Sequence, residues 1–200
     1  MGIRDHKNLP LILGSNSAIR QTILKNAGLN FQTCPSLVVE EEIKQKHPGK
    51  SAQEMCTLLA QQKALCVSKR KSGLVIGSDQ ILEFKGQSFN KVETTDEARA
   101  RLQLLSGKTH ALVGTTVLAQ GGKILWEFQS RAQMRMRVLS TAEIDHYLEK
   151  SGPQILYSVG CYEIEGHGIT LFEQIKGDHF AILGLPLLPL LAKIREMDAL

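Results

Sequence analysis

Short aliphatic runs alternate with helical periodicities along this chain. Residues 9–13 read as a brief buried strand, and 74–76 with 81–82 as a longer one. A strand covered on both faces is a run of branched aliphatics rather than an alternation. After Ser15-Asn16-Ser17, the residues Ile19, Ile23, Leu24 and Ala27 recur at helical spacing and stop at Asn26-Ala27-Gly28. Leu37-Val38-Val39 is a further strand-like run. The pairs Ser51/Glu54, Thr94/Glu97 and Ser140/Glu143 have capping-box spacing and predict three helix starts. The second of these helices ends near Ser106-Gly107, and the third covers 141–149 before Ser151-Gly152-Pro153.

Leu74–Phe84 is expected to be a strand with a turn at Lys85-Gly86 or a strand pair. Composition turns β-like over 109–138, with Gly121-Gly122 as a hairpin turn. There Met134, Met136 and Val138 alternate with Arg135 and Arg137, the period-2 pattern of a half-exposed strand. Short strands at 161–164 and 170–172 lead to a last helix near 187–195. Interleaved helices and strands predict an α/β fold, and the antiparallel hairpin makes its twisted sheet a mixed one flanked by helices.

One element carries a conflict. Gly77-Ser78-Asp79-Gln80 interrupts the aliphatic run of 74–82 and puts a carboxyl where burial is costly unless it is paired, metal-bound or facing a cleft. The bland reading is an Asp capping a turn at a strand end.

Composition narrows the classes. At 200 residues, the chain 1–200 is expected to be one domain, or one domain with a strong cleft between two lobes. The net charge of +4, from 24 basic and 20 acidic side chains, suits an anionic small molecule and is too weak to argue for nucleic acid. An aromatic content of 5% also argues against a base-stacking surface. The four cysteines, Cys34, Cys56, Cys66 and Cys161, show no CxxC pair and no zinc quartet. Its start lacks an apolar signal region, and the apolar stretch 183–191 is broken by Pro186 and Pro189, so no membrane partner is expected. The expectation is a soluble, cytoplasmic, reduced protein.

Three constellations could carry chemistry. Ser15-x-Ser17-x-x-Arg20 lies between a strand and a helix, where hydroxyls, free N–H groups and a forked cation suit a phosphate. It is not a Walker loop, and Ser17 as a plain N-cap beside a solvated Arg20 is the alternative. Glu40-Glu41-Glu42 reads as a solvated face, unless Glu40 turns inward to join Asp79. Two carboxylates with substrate phosphates suit magnesium, which keeps its waters. Lys63 and Lys91 are ordinary surface lysines by themselves, although Lys63 lies among Leu59, Ala60 and Ala64. His110, His146, His167 and His179 show no metal spacing, and no G-x-S-x-G elbow is present.

Taken in order, these pieces resemble the Maf family of nucleoside triphosphate pyrophosphatases, historically called septum formation inhibitors. The resemblance runs from about Leu9 to Leu191. It rests on Leu11-Ile12-Leu13-Gly14-Ser15-Asn16-Ser17 with Arg20, Lys63-Ala64, Ile76-Gly77-Ser78-Asp79-Gln80 and Leu105-Ser106-Gly107-Lys108-Thr109-His110. Leu139-Ser140 with Glu143-Ile144 and Tyr147, Gly166-His167-Gly168-Ile169, Gly177-Asp178-His179 and Gly184-Leu185-Pro186-Leu187 complete it.

The resemblance implies two lobes around a central cleft, a homodimer, and hydrolysis of a nucleoside triphosphate to the monophosphate and pyrophosphate with a divalent cation, Mg2+ or Mn2+. It implies Asp79 as proton acceptor, with Glu40 and Lys63 beside it, and Asp79 and Glu40 as the metal-facing carboxylates. Ser15, Ser17, Arg20 and Lys91 would bind substrate, and Ile19, Gln80 and Glu165 would sort the base. Gln80 and Glu165 resemble the branch that takes 7-methyl-GTP. The sequence departs from the family pattern at Ala18, Ile19, Val92 and Ser158. The alternatives are the same chemistry on dTTP or UTP, and a nucleotide-binding regulator of cell division with weak or no catalysis.

Overall fold

Strand β1 (Leu11–Leu13) opens the fold, and the computed structural model describes residues 10–197. Residue 9 of the expected first strand lies outside them. Helix α1 (Ala18–Asn26), β2 (Phe31–Thr33), α2 (Glu40–Lys46) and α3 (Ala52–Ser68) follow. Next come β3 (Leu74–Phe84), β4 (Gln87–Phe89), α4 (Thr95–Leu105), β5 (Thr109–Gln120), β6 (Lys123–Met136) and α5 (Thr141–Ser151). Two 3-10 turns (Pro153–Tyr157 and His167–Leu171) precede β7 (Phe172–Lys176), α6 (His179–Ile182) and α7 (Leu187–Glu196). All three capping boxes form, at Ser51/Glu54, Thr94/Glu97 and Ser140/Glu143.

The strands make one mixed seven-stranded sheet in the order β2-β1-β3-β5-β6-β7, with β4 beside β3. β1 runs parallel to β2 and β3, whereas β4 on β3 and β7 on β6 are antiparallel. Gly121 and Gly122 both have positive φ, 55° and 75°, as a two-residue turn of the hairpin-forming hand requires. The expected mixed α/β fold is what the chain adopts.

The chain clusters into two compact units, and β3, β5 and β6 contribute to both. The first holds residues up to Asp79, Gly114–Ser130 and the segment from Asp178 onward. In it Leu11, Leu13, Leu74 and Ile76 point to one sheet face, where Ile23 and Leu24 of α1 and Leu190 and Ile194 of α7 cover them. Ile12 and Val75 point to the other, against Val67 of α3, where Ala60 and Ala64 also pack on Val117 and Ala119. Both faces are thus apolar, which is why these strands read as continuous aliphatic runs.

The second unit holds Gln80–Val113 and Arg131–Gly177. α4 and α5 pack there, tied by Arg99 Nε donating to Asp145 at 2.6 Å. Met134 and Met136 are fully buried while Arg135 and Arg137 pair outward with Glu173 and Glu143. The period-2 reading fails at Val138, which is 81% exposed because β6 ends at Met136, just after a register shift.

Three strand expectations are corrected. Residues 37–39 are irregular and lead into α2, with Leu37 and Val39 exposed, so their aliphatic character found no partner strand. Residues 161–164 are irregular rather than a strand: Cys161 sits at φ 58°, and the Ser158 hydroxyl donates to the Tyr162 carbonyl at 2.8 Å. Residues 170–171 belong to the second 3-10 turn, where Thr170 Oγ1 donates to the His167 carbonyl, and the strand begins only at Phe172.

Candidate active site

Parallel pairing sets the levels of the site. Leu13 lies opposite Ile76, so the chain leaving β1 through Gly14 and Ser15 departs at the level where β3 continues into Gly77, Ser78 and Asp79. Gly14 N still donates to the Ile76 carbonyl at 2.8 Å, and the turn into α1 begins beyond it. Carboxyl ends of parallel strands are where open α/β sheets place ligands.

Gly77 decides how closely α3 approaches. A Cβ there would stand 2.6 Å from Ala64 Cβ and 2.7 Å from the Ala60 carbonyl oxygen. With hydrogen at 77 and methyls at 60 and 64, α3 lies directly on β3, and Lys63 is carried down beside Asp79. The Lys63 ammonium donates to Asp79 Oδ1 at 2.5 Å and sits 2.7 Å from Glu40 Oε1. Asp79 is 6% exposed, so its carboxylate is paired as burial demands. Burial alone would push the Lys63 ammonium down, but the carboxylates of Asp79 and Glu40 outweigh it and hold Lys63 above its ordinary range. Lys63 is therefore a fixed positive charge between two carboxylates.

The acidic trio separates in the first turn of α2, where negative charge complements the helix dipole. Glu41 pairs with Lys44 and Glu42 with Lys46 on the outside, while Glu40 turns to Lys63. The Cys56 thiol donates to the Asp79 carbonyl at 3.2 Å, and burial pushes its pKa up, which keeps it a neutral donor.

On the other side, α1 starts at Ser17 with no acidic residue in its first turn and no side-chain cap. Ser15 Oγ accepts from Ser17 N at 3.2 Å and from Arg20 Nη1 at 3.2 Å, and Arg20 Nε donates to the Gly184 carbonyl at 2.8 Å. Burial pulls the Arg20 guanidinium somewhat down, opposed first by Asp79, yet guanidinium stays charged in proteins. Ser78 Oγ also donates to Gly184 O, at 2.9 Å.

The first unit thus brings together Ser15, Ser17, Arg20, Glu40, Lys63 and Asp79. Ile19 leaves this group, since it packs on the core cluster under α1 and α7. Gln80, half-buried on β3, opens the second unit; Lys91 and Glu165 are exposed in loops of that unit. Sequence reasoning quoted Gly77, Ser78 and Gly184 within motifs but gave them no role, and it passed over Thr116. Their signal was present: hydroxyls at Ser78 and Thr116 inside strands of aliphatics, and a glycine at each close approach.

Asp79 and Glu40 fit a hard divalent ion. Both are carboxylates, and they already converge on one cationic centre, the Lys63 ammonium. Among the described residues no group of three or more His, Cys, Asp or Glu is arranged to hold a metal. Two carboxylates leave room for the waters and phosphate oxygens that magnesium prefers.

The family model for Maf-like protein matches residues 10–197. This chain belongs to the Maf family. A "7-methyl-GTP pyrophosphatase" of Bartonella henselae is 46% identical over 191 residues, covering 95% of this chain and 96% of that protein. A "nucleoside triphosphate pyrophosphatase" of Nitrobacter hamburgensis is 45% identical, covering 96% and 95%. Another protein so named, from Caulobacter vibrioides, is 43% identical, covering 96% and 97%. The expectations of this family, and of an enzyme, are borne out. No helix among the described residues is long and apolar enough to cross a membrane.

Proposed function

We propose that the chain hydrolyses a nucleoside triphosphate to the monophosphate and pyrophosphate, with 7-methyl-GTP the favoured substrate. The observation that carries this reading is one compact unit presenting the Glu40–Lys63–Asp79 cluster, with Asp79 buried and Glu40 partly exposed, together with the Ser15–Arg20 turn. Water attacks the α-phosphorus, the new O–Pα bond forms, and the bond from Pα to the bridging oxygen breaks, releasing pyrophosphate. Asp79 accepts the water proton, and Lys63, held charged, pairs with its carboxylate and aims it.

Arg20 and the N–H groups at the start of α1 bind phosphate oxygens and offset the charge that develops there. Asp79 and Glu40 would hold the Mg2+ or Mn2+ ion. When bound, that ion neutralises charge on the phosphate oxygens. Lys91 would add a cation to the phosphates, and Gln80 and Glu165 would read the base. The names of the relatives support both the general reaction and the methylated guanine base.

The test is pyrophosphate release with magnesium or manganese from 7-methyl-GTP, GTP, UTP and dTTP, by the wild type and Asp79→Asn. We expect 7-methyl-GTP to turn over well above GTP, and Asp79→Asn to lose at least about a hundredfold, the usual scale of general-base loss. Near-wild-type turnover in Asp79→Asn removes Asp79 as the base, and silence of the wild type across the panel removes the reaction.

A further inference from the structure

Two hydroxyls lie where the core has no use for them. Thr116 on β5 and Ser78 on β3 are 0% and 1% exposed, amid Ile76, Val117 and Leu118, which are fully buried aliphatics. A strand pair built only for stability would carry Val and Ala here, since replacing both partners of a buried hydrogen bond by apolar groups is nearly neutral.

The hydroxyls are linked in one direction. Thr116 Oγ1 donates to Ser78 Oγ at 3.2 Å, and Ser78 Oγ donates to the Gly184 carbonyl at 2.9 Å. Each hydroxyl has a single proton, so these donations fix both rotors. The same carbonyl accepts Arg20 Nε at 2.8 Å, while Ser15 Oγ accepts Nη1. The guanidinium plane is therefore pinned at two of its nitrogens, Nε and Nη1. Gly184 sits at φ 96°, and a Cβ there would lie 3.3 Å from both Nε and Nη2. No other residue gives Arg20 that approach to the carbonyl without strain.

We propose that Thr116 and Ser78 are positioning residues that aim Arg20 through the Gly184 carbonyl. The inference rests on the reading of Arg20 as a phosphate-binding cation. The line from β5 through β3 to the Gly184 turn fixes the bearing of the fork toward the phosphate chain.

The test measures binding of inorganic triphosphate by calorimetry, with thermal melting alongside, for Thr116→Val, Thr116→Ser and Ser78→Ala. Each is made in the wild type and in Arg20→Lys, which keeps the charge but cannot bond Gly184 and Ser15 through one planar fork. We expect Thr116→Val and Ser78→Ala to weaken binding about three- to tenfold, the worth of one lost neutral hydrogen bond. Thr116→Ser should restore it, and Thr116→Val should add nothing in Arg20→Lys. An equal loss in both backgrounds, or failure of Thr116→Ser to rescue, overturns the proposal. So does a wild type that does not bind triphosphate. Should Ser78→Ala not fold, the Thr116 pair decides alone. Triphosphate binding with the expected coupling but no nucleotide turnover would sink the reaction and leave the positioning intact; normal turnover without coupling would do the reverse.

Discussion

Gly77→Ala tests whether close contact between α3 and β3 builds the acid–base cluster. The added methyl would meet Ala64 Cβ at 2.6 Å, the Ala60 carbonyl oxygen at 2.7 Å and Ala64 N at 2.8 Å. Two of those three atoms are backbone, and the third is a methyl without a rotamer, so no side-chain rotation relieves the contact. Carbon contacts are comfortable only from about 3.5 Å, so α3 must retreat by roughly 0.9 Å from the 2.6 Å contact. Overpacking of this kind costs about 1–3 kcal/mol. The retreat also carries Lys63, next to Ala64, away from Asp79 and Glu40, whose bonds to it are 2.5 and 2.7 Å long. A misplacement approaching 1 Å costs up to about a hundredfold in rate, so a loss of about ten- to a hundredfold in pyrophosphate release is expected.

Urea unfolding read beside turnover checks both halves. Ala64→Gly added to Gly77→Ala removes the shortest contact but not the one to the Ala60 carbonyl, so recovery should be partial. Wild-type stability and wild-type turnover in Gly77→Ala together would refute the packing argument. Lost stability with full turnover would show that Lys63 is held in place by its carboxylates and not by this contact.

Other perturbations separate charge from packing. His110 is 3% exposed beside Tyr162 and Phe172, and burial pushes its pKa down from 6.5 to about 4. The unfolded chain therefore takes up the proton first as pH falls through that window, and stability declines. Between pH 6.5 and pH 5 the loss should be about 1.5 kcal/mol, flattened in His110→Gln, as read by urea midpoints. Equal slopes in the two proteins would clear His110 of any part in it. Glu40→Gln should raise the magnesium concentration for half-activation about tenfold, by removing one of two carboxylates from the proposed ion site. An unchanged midpoint would take Glu40 out of that role.

What the sequence made legible follows from which signals are local. Ser51/Glu54, Thr94/Glu97 and Ser140/Glu143 each announce a helix because a capping box is complete within four residues. Aliphatic runs at Leu11–Leu13 and Leu74–Phe84 announce strands because both faces are covered. One misreading fell where the partner would be distant, since Leu37 and Val39 have strand chemistry but no neighbouring strand; at 161–164 the reason is a backbone turn-off at Cys161, with φ 58°, that its residue type does not announce.

The candidate site divides in the same way. Asp79 stood out as a carboxyl in an aliphatic strand, and Arg20 as a cation at a helix start. Gly77, Ser78 and Gly184 were visible only as members of motifs without a role, and Thr116 not at all, because each matters through a residue far away in the chain: Gly77 through Ala60 and Ala64, Ser78 and Arg20 through one carbonyl at 184. A small residue or a hydroxyl in a strand is ambiguous until its opposite number is known. That opposite number is set by the parallel register of β1 and β3 and by the return of the chain after β7. The groups proposed to do chemistry could thus be read singly, while the groups proposed to aim them are defined only as pairs.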